Sequence, residues 1–283
     1  MPVTSPPGAM PEILTRQELT RLSAFVYRRT GMLFEEKKRY YIDRRIAERI
    51  AVTGSRDFSA YYDLLRDDEG EAQELINSFT VNETYFYREE HQLRCLSRSL
   101  LPEVVRNRRP GDLVRIWSMP CSTGEEPYSI ALWLLENWAM VDVYNIEIVG
   151  SEIDTEVLNA ARHGRYGVRS LAKLPRQVLE TYFGPEEDGE REIIQDLKES
   201  VKFTRANLID AVSVGQQGKF DIIFCRNLLI YFDESSREAA AKNLHEALLP
   251  GGFLCLGHTE SMSRISSRFA PRRFDDAIVY GRS

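Results

Sequence analysis

Histidine and cysteine are scarce in this chain of 283 residues, with four of each. Cys95, Cys121, Cys225 and Cys255 show no C-x-x-C or other metal spacing, and they suit a reducing cytoplasm. His91, His163, His245 and His258 have no ligand spacing, so no metal is expected. No Ser/His or Cys/His constellation is evident, which argues against a nucleophilic enzyme. Long apolar runs are also missing. ALWLLENWAM is the longest candidate, and Glu136 and Asn137 interrupt it before the roughly 18 residues a bilayer span needs. Direct membrane insertion is therefore not expected. The start, MPVTSPPGAMPEI, has no basic cluster and no apolar core, so it does not read as a signal peptide. Residues 1–11 are expected to be a disordered tail. Positive charge is not in excess: the net charge is −6, which counts against a general nucleic-acid binder.

What is present centres on RIWSMPCSTGEEPYSIALWLL, Arg115 to Leu135. It reads as a buried strand, a sharp loop and an amphipathic helix, the unit that opens a nucleotide-type site in a doubly wound sheet. A phosphate cradle would be rich in glycine. This loop has one, Gly124, followed by Glu125 and Glu126 at the helix start. Two carboxylates there suit the helix dipole but would repel a pyrophosphate. A nucleoside without phosphate and with positive charge fits, and S-adenosylmethionine meets that description.

Residues 12–80 read as an all-helical domain, with helical periodicity over Gln17–Thr30, Glu35–Val52, Asp57–Arg66 and Gly70–Phe79. Asp57 and Ser59 are candidate caps. Residues 81–92 read as a linker lining the active site, and 93–283 as an α/β domain. Short strands are expected at Leu113–Ser118, Ile146–Ser151, Phe220–Cys225 and Gly252–Gly257, with helices over Pro127–Trp138, Thr155–Arg162 and Ser235–Leu249. That alternation implies a mostly parallel sheet covered on both faces. Asp276–Gly281 reads as a closing antiparallel strand. The alternation lapses over about 165–200, where GPEEDGEREIIQ suggests an inserted antiparallel hairpin.

Four segments carry candidate chemistry. In IEIVGSEIDTEVL, Glu152 ends a strand and Asp154 precedes a helix. Both could simply cap. Their distance of about 25 to 30 residues from the first loop favours ribose binding. In FDIIFCRNLLIYFD, Asn227 and Tyr231 fall at the carboxyl edge of the sheet, where ligands bind. Asn-Leu-Leu-Ile-Tyr lacks the prolines of an Asn/Asp-Pro-Pro-Tyr motif, which disfavours methylation of a base amine. In SFTVNETYFYREEHQL, Arg88 stands ready either to grip a carboxylate or to pair with a neighbouring acid. In EEKKRYYIDRRIAERI, Ile42, Ile46 and Ile50 form an apolar stripe, with Lys38, Arg45 and Arg49 on the opposite half. A solvated face and a docking face for an acidic partner both fit that pattern.

The motifs VNETYFYRE, WSMPCSTGEEPYSIA, SEIDTEVLNAARHGRYG, FDIIFCRNLLIYFD and LLPGGFLCLGHTES, in that order, resemble the CheR family of chemotaxis receptor glutamate methyltransferases. The likeness runs over about residues 15–281. It implies an all-α N-terminal domain and a Rossmann-like methyltransferase domain with a small antiparallel β-subdomain. The implied reaction moves a methyl group from S-adenosylmethionine to receptor glutamates, leaving S-adenosylhomocysteine. The implied partners are the methylation helices of chemoreceptors, met by a cytoplasmic monomer, with Lys38, Arg45 and Arg49 facing them. The resemblance further implies cofactor contacts at Asn82, Thr84, Arg88, Glu126, Glu152, Asn207, Leu208, Asn227 and Leu228. It gives Arg88 and Tyr231 a part in the reaction. Three features depart from the family. MPC replaces a run of small residues before Ser122, Glu152 stands where the family often has Asp, and the loop from Phe183 to Ile193 is shorter than in members that tether to a receptor pentapeptide. Tethering is therefore not expected.

Overall fold

The computed structural model describes residues 14–34 and 39–282, which divide into two compact units meeting in sequence at Thr80 and Val81. The expected tail over 1–11, the helical start at Glu35 and the site residue Lys38 lie outside the described residues.

The first unit holds helices α1 (Arg16–Thr30), α2 (Arg39–Thr53), α3 (Phe58–Asp67) and α4 (Glu69–Phe79). Thr15 and Glu18 form a reciprocal capping box at the start of α1, and Gly31 ends that helix in the left-handed region. Asp57 and Asp68 cap α3 and α4 by accepting main-chain N–H groups, whereas Ser59 lies inside α3. Leu22, Phe25, Ile42, Ile46, Tyr61, Leu65 and Leu75 form its core, with Ile50 packed at the margin.

The basic half of α2 differs from the expectation at one position. Arg49 is not presented to a partner. Its guanidinium donates two bonds to Glu71, at 2.9 and 2.5 Å, and the Tyr61 hydroxyl donates to the same carboxylate at 2.7 Å. A carboxylate as buried as that of Glu71 needs a paired cation, and Arg49 reaches it across the helix pair. Arg45 remains partly exposed, its guanidinium 5.1 Å from the Tyr41 ring centre and 3.4 Å from Glu48.

The second unit is a seven-stranded sheet with helices on both faces. Chain order runs α5 (Glu90–Cys95), a π-helical turn (Leu96–Leu100), α6 (Leu101–Val105), β1 (Leu113–Ser118), α7 (Glu125–Asn137), β2 (Asn145–Glu152) and α8 (Thr155–His163). It continues through β3 (Arg165–Gly167), α9 (Val168–Leu171), α10 (Arg176–Tyr182), β4 (Glu190–Glu192), α11 (Gln195–Ser200), β5 (Val201–Arg205) and α12 (Ala211–Gly215). Last come β6 (Phe220–Cys225), α13 (Glu234–Ala247), β7 (Leu248–Leu256), β8 (Ala270–Arg273) and β9 (Ile278–Gly281).

The strand order is β5-β2-β1-β6-β7-β9-β8. The first five strands are parallel, and β9 is antiparallel to both of its neighbours. One sheet face carries Val114, Ile116, Ile148, Ile222, Phe224, Phe253 and Cys255, which share a buried cluster with α5, α6 and α7. On the other face Trp117 stacks on Phe220, ring centres 4.9 Å apart. β6 is buried at all six positions, as a central parallel strand must be. The chain winds outward from β1 through β2 to β5, then crosses back to place β6 on the other side of β1, so the topological switch lies between β1 and β6.

The insertion is a small second sheet, β3 against β4. GPEEDGEREIIQ does form a tight hairpin. Glu187 and Glu190 bond reciprocally across Asp188 and Gly189, both left-handed, as a two-residue hairpin turn requires. The short helices α9 and α10, β5 and the edge strand β8 were not expected. Val201–Arg205 alternates too weakly to stand out, and Ala270–Arg273 is exposed throughout. Among the described residues no helix is long and apolar enough to cross a membrane.

Candidate active site

The carboxyl ends of β5, β2, β1 and β6 lie side by side, and the residues singled out in the sequence fall on the turns that leave them. After β1 the chain passes a cis Met119–Pro120 bond, then Ser122 at φ 48° and Gly124 at φ 93°. Gly124 is required here. A Cβ at this position would lie 2.9 Å from the Ala161 Cβ and 3.0 Å from the Tyr166 hydroxyl. The Tyr166 hydroxyl donates to the Thr123 carbonyl at 2.9 Å, so the insertion's first strand closes this loop from outside.

The paired glutamates at the start of α7 have separate surroundings. Glu125 accepts from Thr123 Oγ1 at 2.6 Å and Ser170 Oγ at 2.7 Å. It is buried structure, as its place in the first turn suggests. Glu126 turns toward the strand ends. It accepts from Ser118 Oγ at 2.7 Å and from Arg226 at 2.8 Å. Burial raises both carboxyls above the ordinary range, and for Glu126 the nearby Arg226 guanidinium works against that rise.

Glu152, at the end of β2, folds back on its own turn. One carboxylate oxygen accepts the Ser122 N–H at 2.9 Å; the other accepts the N–H groups of Ile153 at 2.8 Å and Asp154 at 3.3 Å. The methylene that Glu carries beyond Asp is taken up by this curl. Burial pushes its carboxyl up to about 7, against the pull of those three donors. Asp154 both caps α8 and accepts from Asn82 Nδ2 at 2.9 Å. The Asn82 carbonyl lies 3.5 Å from Ser122 Oγ, so the segment beginning at Val81 lies against the first loop.

Asn207 and Leu208 follow β5. Asn207 accepts the Ile209 N–H on its own side chain at 3.3 Å, and the Leu208 carbonyl accepts from Asn243 at 2.8 Å. Asn227 follows β6 at φ 58°, and Leu228 leads into the short 3-10 turn Leu229–Tyr231. Glu260, from the turn after β7, pins this corner. Its carboxylate accepts the N–H groups of Asn227 at 2.8 Å, Leu229 at 2.8 Å and Gly257 at 2.9 Å.

Arg88 sits in a strained turn. Its neighbours Tyr87 and Glu89 have φ 57° and 55°, a conformation that costs a non-glycine residue about 1–3 kcal/mol. Its guanidinium donates to the Glu83 carbonyl at 2.6 Å and lies 5.9 Å from the Tyr85 ring centre. Thr84, between them, is half-buried.

The turns after β5, β2, β1 and β6 therefore carry Asn207, Leu208, Glu152, Glu126, Asn227, Leu228 and Tyr231, and Asn82 bonds to Asp154 beside them. Two groups escaped the sequence reading. Arg226 is a buried cation continuing a fully buried strand, and the charge directly after the apolar run IIFC was its signal. Glu260 stands in LGHTES, and only its three main-chain donors reveal it. Among the described residues no cluster of His, Cys, Asp or Glu is arranged to hold a metal.

A doubly wound sheet with acids and amides at the carboxyl ends of its strands belongs to the Rossmann-like class of folds. A model described as the CheR methyltransferase SAM binding domain matches residues 82–278, and one described as the CheR all-alpha domain matches residues 17–80. The chain belongs to the CheR methyltransferase family. It is 47% identical over 270 residues to chemotaxis protein methyltransferase 2 of Vibrio cholerae, covering 95% of this chain and 93% of that one. It is 38% identical over 265 residues to the chemotaxis protein methyltransferase of Escherichia coli, covering 92% and 89%. It is 35% identical over 254 residues to that of Borreliella burgdorferi, covering 88% and 89%.

Proposed function

We propose that this protein methylates glutamate side chains of chemoreceptors, using S-adenosylmethionine and releasing S-adenosylhomocysteine. Membership in the family makes it a methyltransferase with a cofactor domain. The observation that carries the reading is Glu152, a buried acid at the end of β2 that also closes the loop after β1. When bound, the cofactor supplies an electrophilic methyl group on a sulfonium.

The residues present suit such a ligand. Glu152 keeps a lone pair for a ribose hydroxyl on the oxygen that accepts only the Ser122 N–H, its other oxygen being taken by Ile153 and Asp154. Glu126 brings negative charge to the switch point, which favours a cation over a phosphate. Asn207 and Leu208 would border the adenine, and Asn82, Thr84, Asn227 and Leu228 the remainder. A substrate glutamate, with an ordinary pKa of about 4.3, is already ionised near pH 7. No general base is then needed, and the site has only to align carboxylate oxygen, methyl carbon and sulfur and to exclude water. Good alignment alone supplies about 7–11 kcal/mol. Arg88 and Tyr231 are assigned to that task.

The helical unit is assigned to the receptor's acidic methylation helices, through Lys38 and Arg45. Arg49 is engaged by Glu71 and is left out of the docking face. The protein is assigned to the cytoplasm, as a monomer working at membrane-bound receptors without nucleic acid. The loop from Phe183 to Ile193 is assigned no role in pentapeptide tethering; tight calorimetric binding of a receptor-tail peptide would refute that.

Incubation of the enzyme with radiolabelled cofactor and receptor-rich membranes tests the whole reading. Base-labile label on a receptor band is expected. Label on nucleic acid, or none despite cofactor binding, would overturn it. Reversal of Lys38 and Arg45 to Glu is expected to abolish receptor labelling and spare cofactor affinity.

A further inference from the structure

We propose that Arg226 is a positioning residue, holding Arg88 in place for methyl transfer. The inference rests on the reading that Arg88 serves the reaction.

Arg226 is buried, with only 4% of its side chain exposed, yet it reaches three places at once. It donates to Glu126 at 2.8 Å and to the main-chain carbonyl of Arg88 at 2.8 Å, and it lies 3.4 Å from Glu89. The first partner belongs to α7 and the other two to the turn over residues 87–89. A single planar fork therefore ties that turn to the helix that follows β1. Lysine, a point charge on a flexible stem, cannot serve a carboxylate and a carbonyl in this fixed geometry.

The turn needs holding. Left-handed residues on both sides of Arg88 are strained and persist only where their surroundings impose them. Three bonds do so. The Tyr87 N–H donates to Ser129 Oγ at 3.0 Å; the Arg88 carbonyl accepts from Arg226; the Glu89 carboxylate accepts from Gln92 at 2.7 Å. Of these only Arg226 grips the residue that bears the proposed reactive side chain. The geometry is costly elsewhere: Arg226 Nε is buried with no hydrogen-bond partner among the described residues. The guanidinium is aimed at Glu126 and the Arg88 carbonyl at the expense of its third nitrogen.

A positioning role differs from plain support in one measurable way, because it acts through Arg88. The test is a double-mutant cycle of Arg226→Lys with Arg88→Ala, followed by single-turnover methyl transfer, with melting temperature and cofactor affinity recorded for each variant. R226K is expected to slow transfer about 100-fold when Arg88 is present, the size of effect a displacement near 1 Å produces. In the R88A background the same change is expected to cost less than about 3-fold. Equal losses in the two backgrounds, or no loss with Arg88 present, would overturn the inference while leaving the reading of Arg88 intact. An R88A rate equal to the parent's would overturn that reading and the inference with it. If R226K does not fold, Glu89→Gln takes its place in the same cycle. There a loss seen only with Arg88 present supports the inference, and an additive loss overturns it.

Discussion

The carboxylate of Glu152 accepts the main-chain N–H of Ser122 at 2.9 Å, so the acid that ends β2 also fixes the loop that follows β1. In the proposed site a ribose hydroxyl would donate to this group and so prefer it ionised. Burial holds its carboxyl up near 7, and the free protein is therefore partly protonated at neutral pH. Cofactor binding must then release a proton below that pH. Affinity is expected to rise about tenfold per pH unit on the acid side and to level off above about pH 7. Glu152→Gln is expected to weaken binding about 10- to 100-fold, the worth of a hydrogen bond to a charged acceptor, and to flatten the profile. Calorimetry in buffers of different ionisation enthalpy measures both.

Glu260 provides a second test. Two oxygens accept three main-chain N–H groups, and an amide in their place would turn an N–H toward a donor. Glu260→Gln is expected to lose about 1–3 kcal/mol in denaturant unfolding, the cost of a buried donor left unpaired. It is also expected to lower both cofactor affinity and rate. Gly257→Ala should act alike, because its Cβ would lie 2.8 Å from Asn227 Nδ2 and 2.9 Å from Glu260 Oε2.

Arg49 and Arg45 should separate stability from docking. Arg49→Ala strands the Glu71 carboxylate and is expected to cost the helical unit about 3 kcal/mol. Arg45→Ala, at a partly exposed pair, is expected to cost under about 1 kcal/mol. Thermal melting of the two variants checks the contrast.

All four cysteines are buried thiols. Burial pushes the thiols of Cys121, Cys225 and Cys255 well above the ordinary range and that of Cys95 up to about 11. The native protein is expected to resist thiol reagents at pH 8 and to react at all four positions only after unfolding. Early reaction of Cys121 or Cys225 in a timed labelling assay would refute this.

The parts legible in the sequence were those with a strong local pattern. Leu113–Ser118 and Phe220–Cys225 were read at their exact ends because an apolar run flanked by turns has little else to be. Glu126 and Glu152 were visible because an acid at a strand end or helix start has few roles. Arg49 was misread because helical periodicity assigns a residue to a face but cannot see Glu71, which lies 22 positions later. Arg226 and Glu260 were missed for the same reason. Their partners are 100 to 138 and 3 to 33 residues away, and their meaning lies in geometry rather than spacing. The strand β8 was illegible because an edge strand need not be apolar.

The stem and the tip of the insertion are anchored differently. Its stem is fastened to the loop after β1 twice, by the Tyr166 hydroxyl on Thr123 and by Ser170 on Glu125. Its tip bonds to itself, through Gly184 to Glu192 and Glu187 to Glu190, and to the rest of the insertion, through Arg165 to Glu190 and Lys198 to Glu192. A chimera built by exchanging this segment between relatives should therefore be cut inside the stem, keeping Tyr166 and Ser170, with only the tip replaced. Grafts that take the stem as well would carry away the two bonds that close the loop after β1.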